Sequence, residues 1–237
     1  MRRERGIGLV ELMIALTIGL FIMLGLGTVF YSMRQTSISS QGLSSLQDGE
    51  RMAMTFLGNA IQGAGYYIYA QPPYTNPLTI NLSPFPLSGV FAAGQTLSGT
   101  TGGSPGTDTL SVRFQVSAAS NYQGCTGSVL AGSFYTDTFS IAANPADNGN
   151  PYLYCTESGS AAPIPLVAGV SGMTVLYGVD TAGSGSVTEY LAASAVTDWS
   201  AVKTVNLTLS FSNPLAQQPN QPASVTLSHT VAIMNGL

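Results

Sequence analysis

The chain has 237 residues, with 7 Lys and Arg against 11 Asp and Glu and a formal net charge of −4. Charged residues are 8% of the total, against about 25% in an ordinary globular domain. Three of the seven basic residues, Arg2, Arg3 and Arg5, sit together at the N-terminus and only Arg34, Arg51, Arg113 and Lys203 follow, so the basic footprint that nucleic-acid binding requires is missing. The length allows one or two domains with a core that needs no metal, and 27 glycines point to short strands, turns and polar loops, not to a helical enzyme.

In chain order, the first element is apolar. Leu12 to Met33 carries no charge. As a helix rising about 1.5 Å per residue, this stretch spans a bilayer core of about 30 Å. Three arginines precede it and the next basic residue is Arg34, so the positive-inside rule places residues 1–6 in the cytoplasm and the bulk of the chain outside. The run is too long for the apolar part of a secretory signal, and the YSMRQTSISSQ that follows lacks a small-x-small exit. Glu11 lies within IGLVELMIAL. A carboxylate at the edge of a membrane helix costs energy without a partner, which makes it a functional candidate.

The stretch RGIGLVELMIALTIGLFI resembles the leader and mature start of type IV prepilins. The resemblance implies a short basic leader ending at Gly6, cut on the cytoplasmic side by a prepilin peptidase, and methylation of the new N-terminus at Ile7. Glu11 then falls at the fifth position of the mature chain. Ile7 departs from the family's usual Phe, while the spacing from Gly6 to Glu11 holds. A lone carboxylate and a lone ammonium are both costly in an apolar filament core. The Glu11 side chain of one subunit is therefore expected to meet the N-terminal ammonium of a neighbour; pairing with its own N-terminus is the alternative.

No proline precedes Pro72, and Leu43, Leu46, Met54, Leu57 and Ile61 recur on one helical face, which predicts a single helix over 12–62. Gly42, Gly49 and Gly58 weaken it. Gly19, Gly25 and Gly27 read either as small residues suited to lipid or close helix packing or as points of softening. Leu46 to Tyr66, LQDGERMAMTFLGNAIQGAGY, resembles a stretch of the PilW group of minor pilins. That implies packing of the outer helix against the sheet of a globular head. Glu50 and Arg51 have no nucleophile or base beside them to suggest catalysis.

Residues 67–107 are uncharged and rich in Pro, Gly, Ser and Thr, and read as a connection with one short strand near Leu87–Phe91. The first clear strand is Thr109–Val116, where apolar and polar residues alternate. Strands follow at 128–130, 134–141 and 152–155, with a turn at Asp147-Asn148-Gly149. PLVAGVSGMTVLYGVD, residues 165–180, again resembles the PilW group and predicts a strand over Met173–Val179. The loop from Asp180 to Glu189 reads as a plain turn, because Ala182, Ser184 and Ser186 leave too few carboxylates for calcium. Val202–Phe211 and Ala223–Ile233 form the closing pair of strands, and VTLSHTVAIMN resembles the group's last strand.

Two cysteines, Cys125 and Cys155, allow one internal pairing. They are either separate buried thiols or a disulfide joining two polar, turn-rich segments; export favours the disulfide. His229 reads as a strand residue, Trp199 and Tyr190 as packing more than recognition, and Asn206-Leu207-Thr208 as a chance glycosylation pattern. No nucleophile elbow, phosphate-binding loop or zinc spacing occurs, so no cofactor, metal or enzymatic activity is expected.

The fold expected from the resemblance is the α+β type IV pilin fold: a long N-terminal helical spine on a mostly antiparallel sheet. Four segments are expected: a leader over 1–6, a transmembrane or filament-core helix over 7–33, an amphipathic outer helix over 34–66, and a periplasmic β-rich head over 67–237. The resemblance implies a minor pilin, first inserted in the inner membrane with its N-terminus in the cytoplasm, then at the pilus tip. It would act in initiation, assembly or capping of type IV pili, with indirect effects on twitching motility, adhesion or DNA uptake. Implied partners are the prepilin peptidase, other minor pilins, the inner-membrane assembly platform and a tip adhesin. The J pseudopilin of type II secretion shares the N-terminal logic and is the alternative.

Overall fold

The computed structural model describes residues 8–66, 91–92, 94–103, 106–116, 124–127, 134–160 and 162–235. It divides into two compact units, Met1–Ser45 and Leu46–Leu237.

Helix α1 runs from Leu9 to Gly63, close to the expected 12–62. Its first turn opens with the backbone N–H groups of Glu11 and Leu12 donating to the Gly8 carbonyl at 3.0 and 3.2 Å. The Thr17 and Thr28 hydroxyls donate back to the carbonyls of Ile14 and Gly25, each at 2.8 Å. Those bonds satisfy polar groups that lie in an otherwise apolar sequence.

In the second unit α1 buries Ala53, Leu57 and Ile61, one stripe at helical spacing. Leu57 and Ile61 were expected there. Ala53 was not, and Met54 is only partly buried beside it. The helix ends where Gly65 adopts a φ of +77°, a left-handed conformation that glycine reaches without steric cost. An added Cβ there would sit 2.5 Å from the carbonyl oxygen of Asn235. The Gly65 N–H donates to Arg113 at 2.9 Å, and the Gln115 N–H to Tyr66 at 2.8 Å. The Asn235 amide donates to the Gln62 carbonyl at 3.1 Å. The end of α1 is thus pinned from both sheets' sides of the head, and the free carbonyls of its last turn gain a partner.

The strands are β1 (Leu97–Thr100), β2 (Thr109–Gln115), β3 (Phe134–Asn144), β4 (Asn150–Glu157), β5 (Ile164–Ala168), β6 (Val170–Val179), β7 (Glu189–Ala192), β8 (Val202–Ser212) and β9 (Ser224–Ala232). They form two antiparallel sheets, β1-β2-β3-β4-β5 and β7-β6-β8-β9. The expected strands at 109–116, 134–141, 152–155, 173–179, 202–211 and 223–233 are present. The head contains β1, β5 and β7 in addition, and one sheet becomes two. The expected strand at 128–130 lies outside the described residues, as does most of 87–91, of which Phe91 is described and buried.

The switch between sheets falls on Gly169, between β5 and β6, at a φ of +79°. Its N–H donates to Pro151 and its carbonyl accepts from Ser212, both at 2.8 Å. One residue therefore bonds to both sheets while the strand direction changes. Between the sheets and the outer part of α1 lies one apolar core, built from Leu110 and Val112 of β2, Phe139 of β3, Leu153 of β4, Val175 of β6 and Leu207 of β8. Every one of these is at most 2% exposed.

Candidate functional site

The N-terminal part of α1 is apolar on all sides. Leu16, Leu20, Phe21, Leu24 and Phe30 are each more than half exposed. Such a surface is stable only in lipid or against neighbouring chains. Among the described residues, α1 is the one helix long and apolar enough to cross a membrane. Glu11 stands in its first turn, where the positive end of the helix dipole favours a carboxylate. Gly6 and Ile7 lie outside the described residues.

In the head, Cys125 and Cys155 form a disulfide with Cα atoms 6.2 Å apart and a sequence separation of 30. In the chain-entropy account a closure of this size stabilises by about 3–4 kcal/mol. Cys155 belongs to β4 and stands opposite Phe139; two residues on, Glu157 stands opposite Asp137. Both carboxylates are buried. Thr126 donates to a Glu157 carboxylate oxygen at 3.1 Å, and a side chain at Gly124 would collide with the same carboxylate. The turn over 124–127 therefore sits directly on β4. Burial, and then the negative charge of Glu157, push Asp137 up to about 7, against a smaller opposing effect of the Cys125 N–H. The two sulfurs and an Asp137 oxygen lie within 4.8 Å of one another. Because the sulfurs are bonded to each other, neither is a free thiolate for a metal.

The remaining candidates have structural settings. Asp48 and Arg51 pair at 3.0 Å on the exposed surface of α1, where such a pair contributes little. The Asp180 carboxylate accepts the N–H groups of Ser184 at 3.0 Å and Gly185 at 2.6 Å, which close the turn and hold it below the usual carboxylate range. Glu189 is exposed at the start of β7. Trp199 packs edge-on against Tyr177, ring centroids 4.8 Å apart, while Tyr190 is 45% exposed and its hydroxyl accepts from Thr204. His229 is exposed on β9, and Asn206 donates to Thr230 across the β8–β9 pair at 2.8 Å.

Sequence reasoning passed over Asp108, Arg113, Asp137 and Glu157, all buried. Arg113 lies under Phe91 and Phe134, its guanidinium carbon 5.5 and 5.7 Å from their centroids, and burial lowers its pKa. The available signal was a charge inside an alternating strand, as in TLSVRFQV and FYTDTFSI. The fold has no evident catalytic cluster among the described residues.

Residues 1–27 match the prokaryotic N-terminal methylation motif. Residues 138–235, from β3 to just past β9, match the family described as type IV pilus-assembly protein W, PilW. No curated protein matches the chain. A type IV-like pilin, TTHA1219 from Thermus thermophilus, aligns at a TM-score of 0.41 and 14% identity over 80% of this chain and 96% of that one. The methylation motif at residues 1–27 thus leads into an apolar helix, which is followed by an antiparallel head. Over residues 138–235 the chain is PilW-like.

Proposed function

We propose that the chain is a minor pilin acting in initiation, assembly or tip capping of type IV pili. The observation that carries this reading is the pairing of a PilW-like head with an apolar helix bearing Glu11 five positions beyond Gly6. Residues 1–6 serve as the leader, 7–33 as the membrane and then filament-core helix, 34–66 as its outer continuation, and 67–237 as the periplasmic head. The prepilin peptidase cuts after Gly6, and Ile7 becomes the methylated N-terminus. Other minor pilins, the inner-membrane platform and a tip adhesin are the partners this role requires. The unassembled subunit sits in the inner membrane with its N-terminus in the cytoplasm, and the assembled one at the pilus tip. Deletion and complementation test the reading. Loss of surface pili with protein secretion intact supports it, whereas loss of secretion with normal pili assigns the chain to a J-type pseudopilin.

A further inference from the structure

The β3–β4 register alone makes Asp137 a diagonal neighbour of Cys155, since Asp137 faces Glu157 and Phe139 faces Cys155. Such neighbours are within reach on one face of a sheet. Their proximity therefore needs only the strand pair, and does not depend on the disulfide. In the closed form the sulfurs of Cys125 and Cys155 and an oxygen of Asp137 lie within 4.8 Å of one another. The Cys125 N–H favours the charged form of the Asp137 carboxylate, as expected of a donor close to it. Asp137 is 5% exposed, and its Oδ1 has no hydrogen-bond partner among the described residues. A buried carboxylate oxygen left unpaired is costly, and an apolar residue would fill this place at lower cost.

We propose that Asp137 is the internal proton acceptor for closure of the Cys125–Cys155 disulfide. Cys125 is half-buried and Cys155 is fully buried, so an external disulfide oxidant meets Cys125 first. The Cys125 thiolate attacks that oxidant, breaks its sulfur–sulfur bond, forms a mixed disulfide and releases one thiolate. Cys155 then gives its proton to the Asp137 carboxylate. The resulting thiolate attacks the Cys125 sulfur and expels the second external thiolate. Two electrons pass from the two cysteines to the oxidant, which leaves as two thiols. Cys155 needs such an acceptor because an apolar site raises a thiol's pKa and the thiolate is the nucleophile. Among the described residues, the titratable groups beside Asp137 are Glu157 and Cys155 of β4 and Cys125 of the 124–127 turn; β2 presents Val112 at the facing position. An acceptor pushed up to about 7 by burial and by Glu157 is matched to proton transfer near neutral pH.

The test follows both steps in the full chain in detergent, reduced with a phosphine and freed of it, with its fold checked by circular dichroism. Oxidised glutathione is the oxidant, and acid-quenched, alkylated samples are read by mass spectrometry. In Asp137→Asn the mixed disulfide on Cys125 should form at the parent rate and then accumulate. Closure should be slower by roughly a hundredfold, the low end of general-base contributions, and its pH profile should lose the inflection near neutrality. Closure at the parent rate, or equal slowing of both steps, overturns the proposal. Should Asp137→Asn fail to fold, Glu157→Gln decides. Loss of the neighbouring charge should move the inflection to lower pH, and an unmoved inflection overturns the assignment.

Discussion

The carboxylate of Asp108, just ahead of β2, accepts the backbone N–H of Val175 in β6 at 2.9 Å, so one side chain ties the first sheet to the second. Its other oxygen accepts from the Gly102 N–H, also at 2.9 Å. Backbone bonds run beside it, from Met173 to Gly106 at 2.8 Å and from Asp108 to Met173 at 3.2 Å. A short parallel bridge, Thr107 with Met173, results. Asp108→Ala leaves two backbone donors without their charged acceptor and should cost about 2–3 kcal/mol. Asp108→Asn retains one acceptor oxygen and should cost less. Denaturant unfolding of the full chain in detergent, followed by near-ultraviolet circular dichroism, ranks the three. Equal midpoints for all of them would remove Asp108 as the tie between sheets.

Stability should fall as pH rises from about 4 to about 7 and then level off. Asp137 is pushed up from an ordinary 3.8 to about 7, by burial first and by Glu157 second. Below 3.8 folded and unfolded chains both hold the proton, and its stabilising effect is complete. Between the two values the unfolded chain releases the proton and the folded chain keeps it, so each step up in pH favours unfolding. Above about 7 both have lost it and no further loss follows. Asp147, Asp180 and Asp198 are held low by hydrogen bonds, and their opposite contribution is lost only as pH falls below the usual carboxylate range. Melting curves from pH 5 to 8 should slope for the parent and run flatter for Asp137→Asn. Parallel slopes would place the dependence elsewhere.

Protein recovered from its native host should begin at a methylated Ile7, leaving 231 of the 237 residues. Removal of Arg2, Arg3, Glu4 and Arg5 moves the formal charge from −4 to −6. Intact mass spectrometry reads both changes at once. A chain that begins beyond the apolar run would mean that α1 is discarded as a signal, and the minor-pilin reading would fall with it.

Glu11→Ala should leave membrane insertion and leader cleavage intact, since it removes a carboxylate from an apolar run and leaves Gly6 in place. Pilus initiation should drop. An ammonium left buried without its carboxylate typically costs about 3–5 kcal/mol, enough to disfavour a contact between subunits. Surface pilus counts and co-purification with other minor pilins measure the effect. Normal values in both would take Glu11 out of assembly.

The sequence by itself determined the long apolar helix and most of the strands of the head. An uncharged run with arginines on one side is a one-dimensional signal, because a bilayer responds to length and hydropathy with no help from tertiary contacts. The helical stripe ending in Leu57 and Ile61 and the alternation in β2 and β8 were legible for a similar reason: each element faces one core, so its period appears in the chain. β1, β5 and β7 were not, being four or five residues long with too few repeats to show a period. The division into two sheets turns on Gly169, whose meaning comes from the carbonyl and N–H that meet it in space. Asp108, Asp137 and Glu157 lie in or beside strands, where the sequence marks them only as charged residues. Only the tertiary structure, by placing Val175 against one and a disulfide against another, decided that their charge is buried. Burial and partner are properties of packing, and residues 67 positions apart in the chain leave no local trace of their contact.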